Sequence, residues 1–293
     1  MATQLSELPG SPHPAVSVIL PVLNEEKHLE SAVLSILSQD YRGEFEVILA
    51  VAPSRDRTEE IAHKLARENS QIRIVASPTG KTAAGLNLAL AASHSPVVVR
   101  VDGHSQIPHD YLSLVVEILN ETGAVNVGGI MAAVGTTRFE KAVAGAMRSA
   151  FGVGASRFHT GGKAGAVDTV YLGAFRREAL VAIGGFDERF TRAQDWELNF
   201  RLRENGGIIY FDPRLHVTYQ PRPNLKALAK QYFEYGRWRR VVSRRHSGTI
   251  NYRYLAPPLA LIGFCGSLIA GLLLHSLLFL PALIYLLFIF LAA

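Results

Sequence analysis

The chain is almost free of cysteine. Cys265 is the only one in 293 residues, so no disulfide can form within one chain, which fits a reducing compartment. A secretory signal is missing as well. Residues 1–14 are polar and rich in Pro and Ser, without a charged n-region or an apolar h-region, and read as a disordered leader. Internal repeats are absent. Acidic residues nearly vanish from one stretch: between Arg222 and Arg253, nine Arg or Lys stand against a single acid, Glu234. Leu225, Leu228, Ala229, Tyr232, Phe233, Trp238 and Val242 are interleaved with them. Residues 216–254 therefore read as a basic amphipathic segment suited to an anionic membrane surface. A nucleic-acid partner, the other reading of such a patch, is set aside because a long apolar segment comes directly after it. Residues 255–293 are almost uncharged and nearly all apolar. Leu255–Leu274 has about the length needed to cross a bilayer, His275-Ser276 breaks the run, and Leu277–Ala293 continues it. The expectation is a transmembrane hairpin, with a buried helical hairpin of a soluble core as the alternative. The apolar run reaches the last residue, so there is room for further spans beyond it. Basic residues just before it place the preceding domain in the cytoplasm, against a cell membrane.

What remains has an ordinary globular composition, with a formal charge of +5 over the chain. Its length allows one large domain or two small ones. Ala15–Leu20 reads as a buried strand stopped by Pro21, and His28–Leu37 as a helix with Leu29, Val33, Ile36 and Leu37 at helical spacing. Strands come next at Phe45–Val51, Ile72–Ala76 and Val97–Val101. Helices are expected at Glu59–Asn69, with Thr58 as N-cap, and at Ala83–Ala92, which carries Asn87. This alternation implies right-handed crossovers and a mostly parallel sheet over residues 15–215. The second half is less regular. A helix is expected at Tyr111–Asn120, strands at Ala124–Met131, Thr169–Phe175 and Ile208–Phe211, and a mobile glycine-rich loop at Gly152–Gly165. A helix opens at Gln194-Asp195-Trp196-Glu197.

The centre of this pattern is Val97–Val101, whose apolar run ends in Asp102-Gly103-His104. If Gly103 lets the backbone turn, a carboxylate and an imidazole converge at the carboxyl end of a strand, where open α/β sheets bind ligands. The two side chains can share one divalent metal, with open positions for phosphate oxygens. An ordinary Asp-Gly turn beside a surface histidine is the alternative.

An ordered set of motifs resembles the family 2 glycosyltransferases, whose fold is the GT-A nucleotide-diphospho-sugar transferase fold. The set runs from Val-Ser-Val-Ile-Leu-Pro-Val-Leu-Asn-Glu-Glu through Gly80-Lys81, Leu86-Asn87 and Arg-Val-Asp-Gly-His to Gly184-Gly185-Phe186-Asp187-Glu188 and Gln194-Asp195-Trp196-Glu197. Within that family, Asp-Gly-His and the late Gln-Tyr-Phe-Glu-Tyr-Gly-Arg segment resemble the succinoglycan type of membrane-attached transferase. The resemblance implies a nucleotide-sugar donor, with a UDP-sugar favoured, and Mn2+ or Mg2+ held by Asp102 and His104. Because the family usually has two Asp residues there, His104 implies a shift towards Mn2+. Asp195 matches the position of the base that inverting transfer needs, although Gln194 stands where the family has a first acid. A helix-start Asp that satisfies free backbone N–H groups is the other reading of Asp195. Pro21, Asn24 and Glu25 match the first nucleotide-contacting loop, and Asp56 its Ser-x-Asp-x-Thr turn. The acid usually found just before that serine is replaced by Ala52-Pro53. Lys81 is a candidate for the diphosphate or the base. Arg237, with Arg240, is a candidate for a donor or acceptor diphosphate, and lipid head groups are the alternative. The gap from Gln231 to Arg237 is longer than in the processive synthases, so addition of a single sugar is expected.

These implications combine into an inverting, metal-dependent transferase acting on a lipid-linked glycan at the cytoplasmic face of the membrane. Transfer to a polyprenyl phosphate is a rival, since an ionised phosphate needs no base. A non-catalytic nucleotide-sugar-binding scaffold is a second rival.

Overall fold

The computed structural model describes residues 12–154, 156–246, 249 and 255–292. The expected leader therefore lies outside the described residues up to residue 11. Pro14 is buried, and its carbonyl accepts a hydrogen bond from Tyr41 Oη at 2.5 Å.

Eight strands form one sheet among the described residues: β1 Val16–Val22, β2 Phe45–Val51, β3 Ile72–Ala76, β4 Val97–Arg100, β5 Asn126–Ala133, β6 Gly165–Ala166, β7 Ala174–Arg176 and β8 Ile209–Tyr219. Their order is β3-β2-β1-β4-β7-β5-β8-β6. The first four are parallel to one another, as is β8 to β5. The pairs β4–β7, β5–β7 and β6–β8 are antiparallel, so the sheet is mixed rather than mostly parallel in its second half. The helices are α1 Leu29–Leu37, α2 Thr58–Glu68, α3 Thr82–Ala92, α4 Tyr111–Thr122, α5 Arg138–Arg148, α6 Ala150–Val153, α7 Arg157–Thr160, α8 Arg177–Ala182, α9 Gln194–Glu204, α10 Leu225–Arg245, α11 Ala256–Leu273 and α12 Leu280–Ala292.

Alternation along the strands builds a core on each face. Val16, Val18, Leu20 and Val22 of β1 face α1, α2 and α4, packing with Leu29, Val33, Leu65, Leu112 and Val115. Ile19 faces the opposite layer, with Leu86, Leu90, Leu180, Leu198 and Leu202 of α3, α8 and α9. Each fully buried side chain of this kind contributes about 1.5–3 kcal/mol.

Three expectations change. Pro21 does not stop β1, which continues to Val22. Ile19 O accepts from Val101 N, so the backbone N–H and C=O groups of odd-numbered residues of β1 are directed at β4. The pairing with β4 ends at Arg100, so the N–H that Pro21 lacks has no ladder partner to lose. The strand expected at Thr169–Phe175 shrinks to Ala174–Arg176, because Leu172 (φ 58°) and Gly173 (φ 91°) adopt left-handed conformations. The short last strand instead runs to Tyr219, past a register shift opposite Gly128 and Ile130. There Asp212 Oδ1 accepts from Arg214 N at 2.9 Å, and the two side chains pair.

After β8, α10 is docked near both ends, at its start by Leu228 against the cluster of Met131 and Tyr219 and at its end by three contacts. Trp238 packs on Phe190, with ring centroids 6.0 Å apart, Val242 is buried with Phe190 and Trp196, and His246 Nε2 lies 3.1 Å from Glu197 Oε1. Leu225 and Phe233 stay exposed. α11 is the one helix among the described residues long and apolar enough to cross a membrane. It packs on α12 and on the short 3-10 turn Ser276–Phe279 before it, where a Cβ at Gly271 would lie 2.6 Å from Phe279 Cδ1. α12 has 13 residues, short of a full span by itself.

Candidate active site

At the carboxyl ends of β1 and β4 the chain leaves a cleft of about 630 Å³. Pro21, Asn24, Glu25, Lys81, Asp102 and His104 all line it, so six candidates from separate segments come together. Gln194, Arg192 and Arg222 close the other side.

The first loop and the second turn are zipped to each other. Asn24, at φ 55°, accepts from Arg55 N at 2.8 Å through Oδ1, and its own N–H donates to Ser54 Oγ. Thr58 Oγ1 accepts from Glu25 N at 2.7 Å and donates to Asp56 Oδ1 at 2.5 Å. Thr58 is thus the first residue of α2 rather than its N-cap, and its hydroxyl serves the loop. Asp56 lies behind the cleft wall, not in it. Its hydrogen bond from Thr58 holds its carboxyl below the usual value.

Glu25 turns inward. Its Oε1 lies 2.8 Å from His104 Nδ1. Gly103 leaves room for it: a Cβ there would come within 3.1 Å of Glu25 Cγ. Gly103 is needed for this space, since it is not among the left-handed glycines. Burial opposes protonation of His104. The Glu25 hydrogen bond and the Asp102 and Glu25 charges outweigh burial and Arg222, and the pKa moves up.

Arg100 is the residue that sequence reasoning passes over. It is 3% exposed. Its Nε and Nη2 donate to Asp102 Oδ1 at 3.0 and 2.9 Å, and its Nη1 donates to Asp195 Oδ1. The period-2 spacing of Arg100 and Asp102 was a usable signal, since it puts both side chains on one face of a strand. The approach of Asp195, 95 residues later, left none. Burial pushes the Asp195 carboxyl up, the Arg100 charge opposes this, the Asp102 charge reinforces it, and the net direction is upward.

Other candidates sit elsewhere. Arg237 is outside the cleft lining, 61% exposed and 3.5 Å from Glu234. Trp238 is committed to Phe190. Asp187 pairs with Arg189, and Glu188 accepts from Asn87 Nδ2 at 3.0 Å, so both acids shape their turn. Asn87 also exchanges two hydrogen bonds of 2.8 Å with the backbone of Phe186. Arg222 is held at the rim by Gln231, which in turn donates to Tyr219 and Tyr235.

Among the described residues no three His, Cys, Asp or Glu side chains gather as a ligand set. Asp102 and His104 still fit a divalent cation that takes its other ligands from a substrate. Glu25 lies against Nδ1, so a neutral ring donating there would turn its Nε2 lone pair outward, the usual support for a ligating histidine.

Residues 17–184 match the family model "Glycosyl transferase family 2", more than half of the chain. The chain belongs to glycosyltransferase family 2. This glycosyltransferase is 34% identical to succinoglycan biosynthesis protein ExoA of Rhizobium meliloti over 242 residues, 82% of this chain and 73% of the relative. Among solved structures it resembles the mannosyltransferase PcManGT of Pyrobaculum calidifontis in complex with GDP-Man and Mn2+. The TM-score is 0.64 at 20% identity, over 97% of this chain and 77% of that one. It also resembles S. aureus TarS in complex with UDP-GlcNAc, with a TM-score of 0.60 at 19% identity, over 78% of this chain and 65% of that one. At these identities the two likenesses establish the GT-A fold.

Proposed function

We propose that this glycosyltransferase moves one sugar, with inversion, from a nucleotide-diphospho-sugar to a hydroxyl of a lipid-linked glycan. The reaction takes place at the cytoplasmic face of a cell membrane and depends on Mn2+ or Mg2+. One observation carries the reading: Asp102, which lines the cleft, and Asp195, next to the lining residue Gln194, come from opposite halves of the chain and share one guanidinium. UDP-sugars are the first donors to test, and the GDP-Man and UDP-GlcNAc complexes of the two structural neighbours frame the choice of base.

In this reading Asp102 and His104 Nε2 hold the cation, which when bound neutralises the charge of a departing diphosphate. Pro21 and Asn24 shape the nucleotide wall, and Lys81, Arg192 and Arg222 supply positive charge around the phosphates. The Asp195 carboxylate takes the proton of the acceptor hydroxyl. The hydroxyl oxygen bonds to the anomeric carbon, and the bond from that carbon to the diphosphate breaks, its electron pair leaving with the diphosphate. Burial suits Asp195 to this task, because a raised pKa makes a stronger base. The basic α10 and the apolar α11 support membrane attachment and an acceptor presented from the bilayer.

The test is a binding screen of UDP-, GDP- and TDP-sugars with and without Mn2+ or Mg2+, followed by Asp195→Asn. Metal-dependent binding of one donor is expected. Transfer to a hydroxyl acceptor should fall by about 10²–10⁴-fold in the variant. Transfer surviving Asp195→Asn would point to a phosphate acceptor instead. Metal-independent binding of every donor would end the reading.

A further inference from the structure

We propose that Arg100 is a positioning residue that couples donor loading at Asp102 to the placement of the base Asp195. The inference rests on the functional reading above and deepens it. A buried guanidinium has five N–H donors in a rigid fork and stays charged. In Arg100 that fork is divided: Nε and Nη2 serve Asp102, and Nη1 serves Asp195. Both carboxylates therefore draw on one cation in a site where it is 3% exposed.

Sharing of this kind makes the two sites respond to each other. A divalent cation arriving at Asp102 competes with the guanidinium for the same oxygens. Arg100 cannot be left buried without a partner, so what it gives up at Asp102 it returns to Asp195. Once the donor is in place the base is fixed in one orientation, and the closer Arg100 charge offsets part of the basicity that burial gives it. The reverse is required by reciprocity of binding. With Asp195 neutral, Arg100 falls wholly on Asp102, and the donor's cation must displace it from there.

Calorimetric titration of the full chain with UDP and with GDP, each with Mn2+, reads this without turnover. Asp195→Asn is expected to weaken Mn2+-nucleotide binding by about fivefold to tenfold, the lower end of usual site-to-site coupling. In an Arg100→Gln background the same substitution should change binding by less than about twofold. Arg100→Lys keeps the charge but cannot span both carboxylates, and it should also lose the coupling. Unchanged binding in Asp195→Asn beside intact wild-type binding would overturn the clamp and leave the functional reading standing. Equal weakening by Asp195→Asn with and without Arg100 would do the same. That first comparison needs no change at Arg100, so it holds even if the buried position does not accept glutamine. Wild-type protein that binds neither nucleotide with Mn2+ would overturn the functional reading, and the clamp with it.

Discussion

Replacing Glu25 by alanine separates two roles for this residue. The motif resemblance makes it a nucleotide contact, whereas the structure turns its carboxylate onto His104 Nδ1 at 2.8 Å. If Glu25 orients the imidazole, Glu25→Ala frees the ring to rotate and to carry its proton on either nitrogen. Losing such a support costs a metal about 10–100-fold in affinity, or about 1.4–2.8 kcal/mol. Glu25→Gln keeps an acceptor oxygen but not the charge, and a neutral hydrogen bond is about half as strong. The loss there should be intermediate, roughly threefold to tenfold. Gly103→Ala should resemble the glutamine variant, because its Cβ would press on Glu25 Cγ from 3.1 Å. Mn2+ titration monitored by electron paramagnetic resonance, in the presence of nucleotide diphosphate, reads the affinity, while nucleotide binding without metal serves as the control. The expected pattern is a graded loss of Mn2+ affinity with the metal-free control unchanged. If His104→Ala weakens Mn2+ binding and Glu25→Ala does not, the positioning role is refuted. If the metal-free control falls as far as the Mn2+ affinity, Glu25 touches the nucleotide directly.

Asn87→Ala removes three hydrogen bonds that tie α3 to the Gly-Gly-Phe-Asp-Glu turn. With Asn87 half-buried the cost should be about 2 kcal/mol, lowering Tm by about 4–8 °C in a thermal melt. An unchanged Tm would show that the tie is idle. Glu140 accepts hydrogen bonds from Thr136 and Thr137 that hold its carboxyl down at about 2, against 4.5 unperturbed. Its stabilising contribution is complete above pH 4.5 and is lost as the pH falls towards 2. The urea midpoint should therefore drop more steeply over that window in wild type than in Glu140→Gln. Thr58→Val deletes the link from Asp56 to Glu25, and should lower Mn2+ affinity less than Glu25→Ala in the same titration.

The first half of the fold was legible because each strand is a compact run of β-branched and apolar residues with an amphipathic helix after it. Phe45–Val51 and Ile72–Ala76 coincide with β2 and β3. The second half obeys tertiary demands that local pattern does not carry. β8 hides its length behind Asp212-Pro213-Arg214, where the chain bulges, although Leu215, Val217 and Tyr219 alternate as an edge-to-core pattern should. α5 is marked by a capping box from Thr137 to Glu140, a signal that was present and passed over. The end of α6 and the whole of α7 fall in the glycine-rich stretch expected as a loop. At the site, residue types in motif order located the cleft. They could not say that Asn24 and Asp56 are spent on backbone N–H groups, nor that one arginine joins the two acids.

α10 is a single rod of 21 residues, roughly 31 Å at 1.5 Å per residue. It starts just past Arg222 at the mouth of the cleft, and its far end is pinned by Val242 and His246. The rod thus ties two parts of one wall together: Arg222 at the mouth of the cleft and, through Val242 and His246, the first turn of α9 that carries Asp195. A push on either end of α10 is therefore passed to the helix that bears this carboxylate.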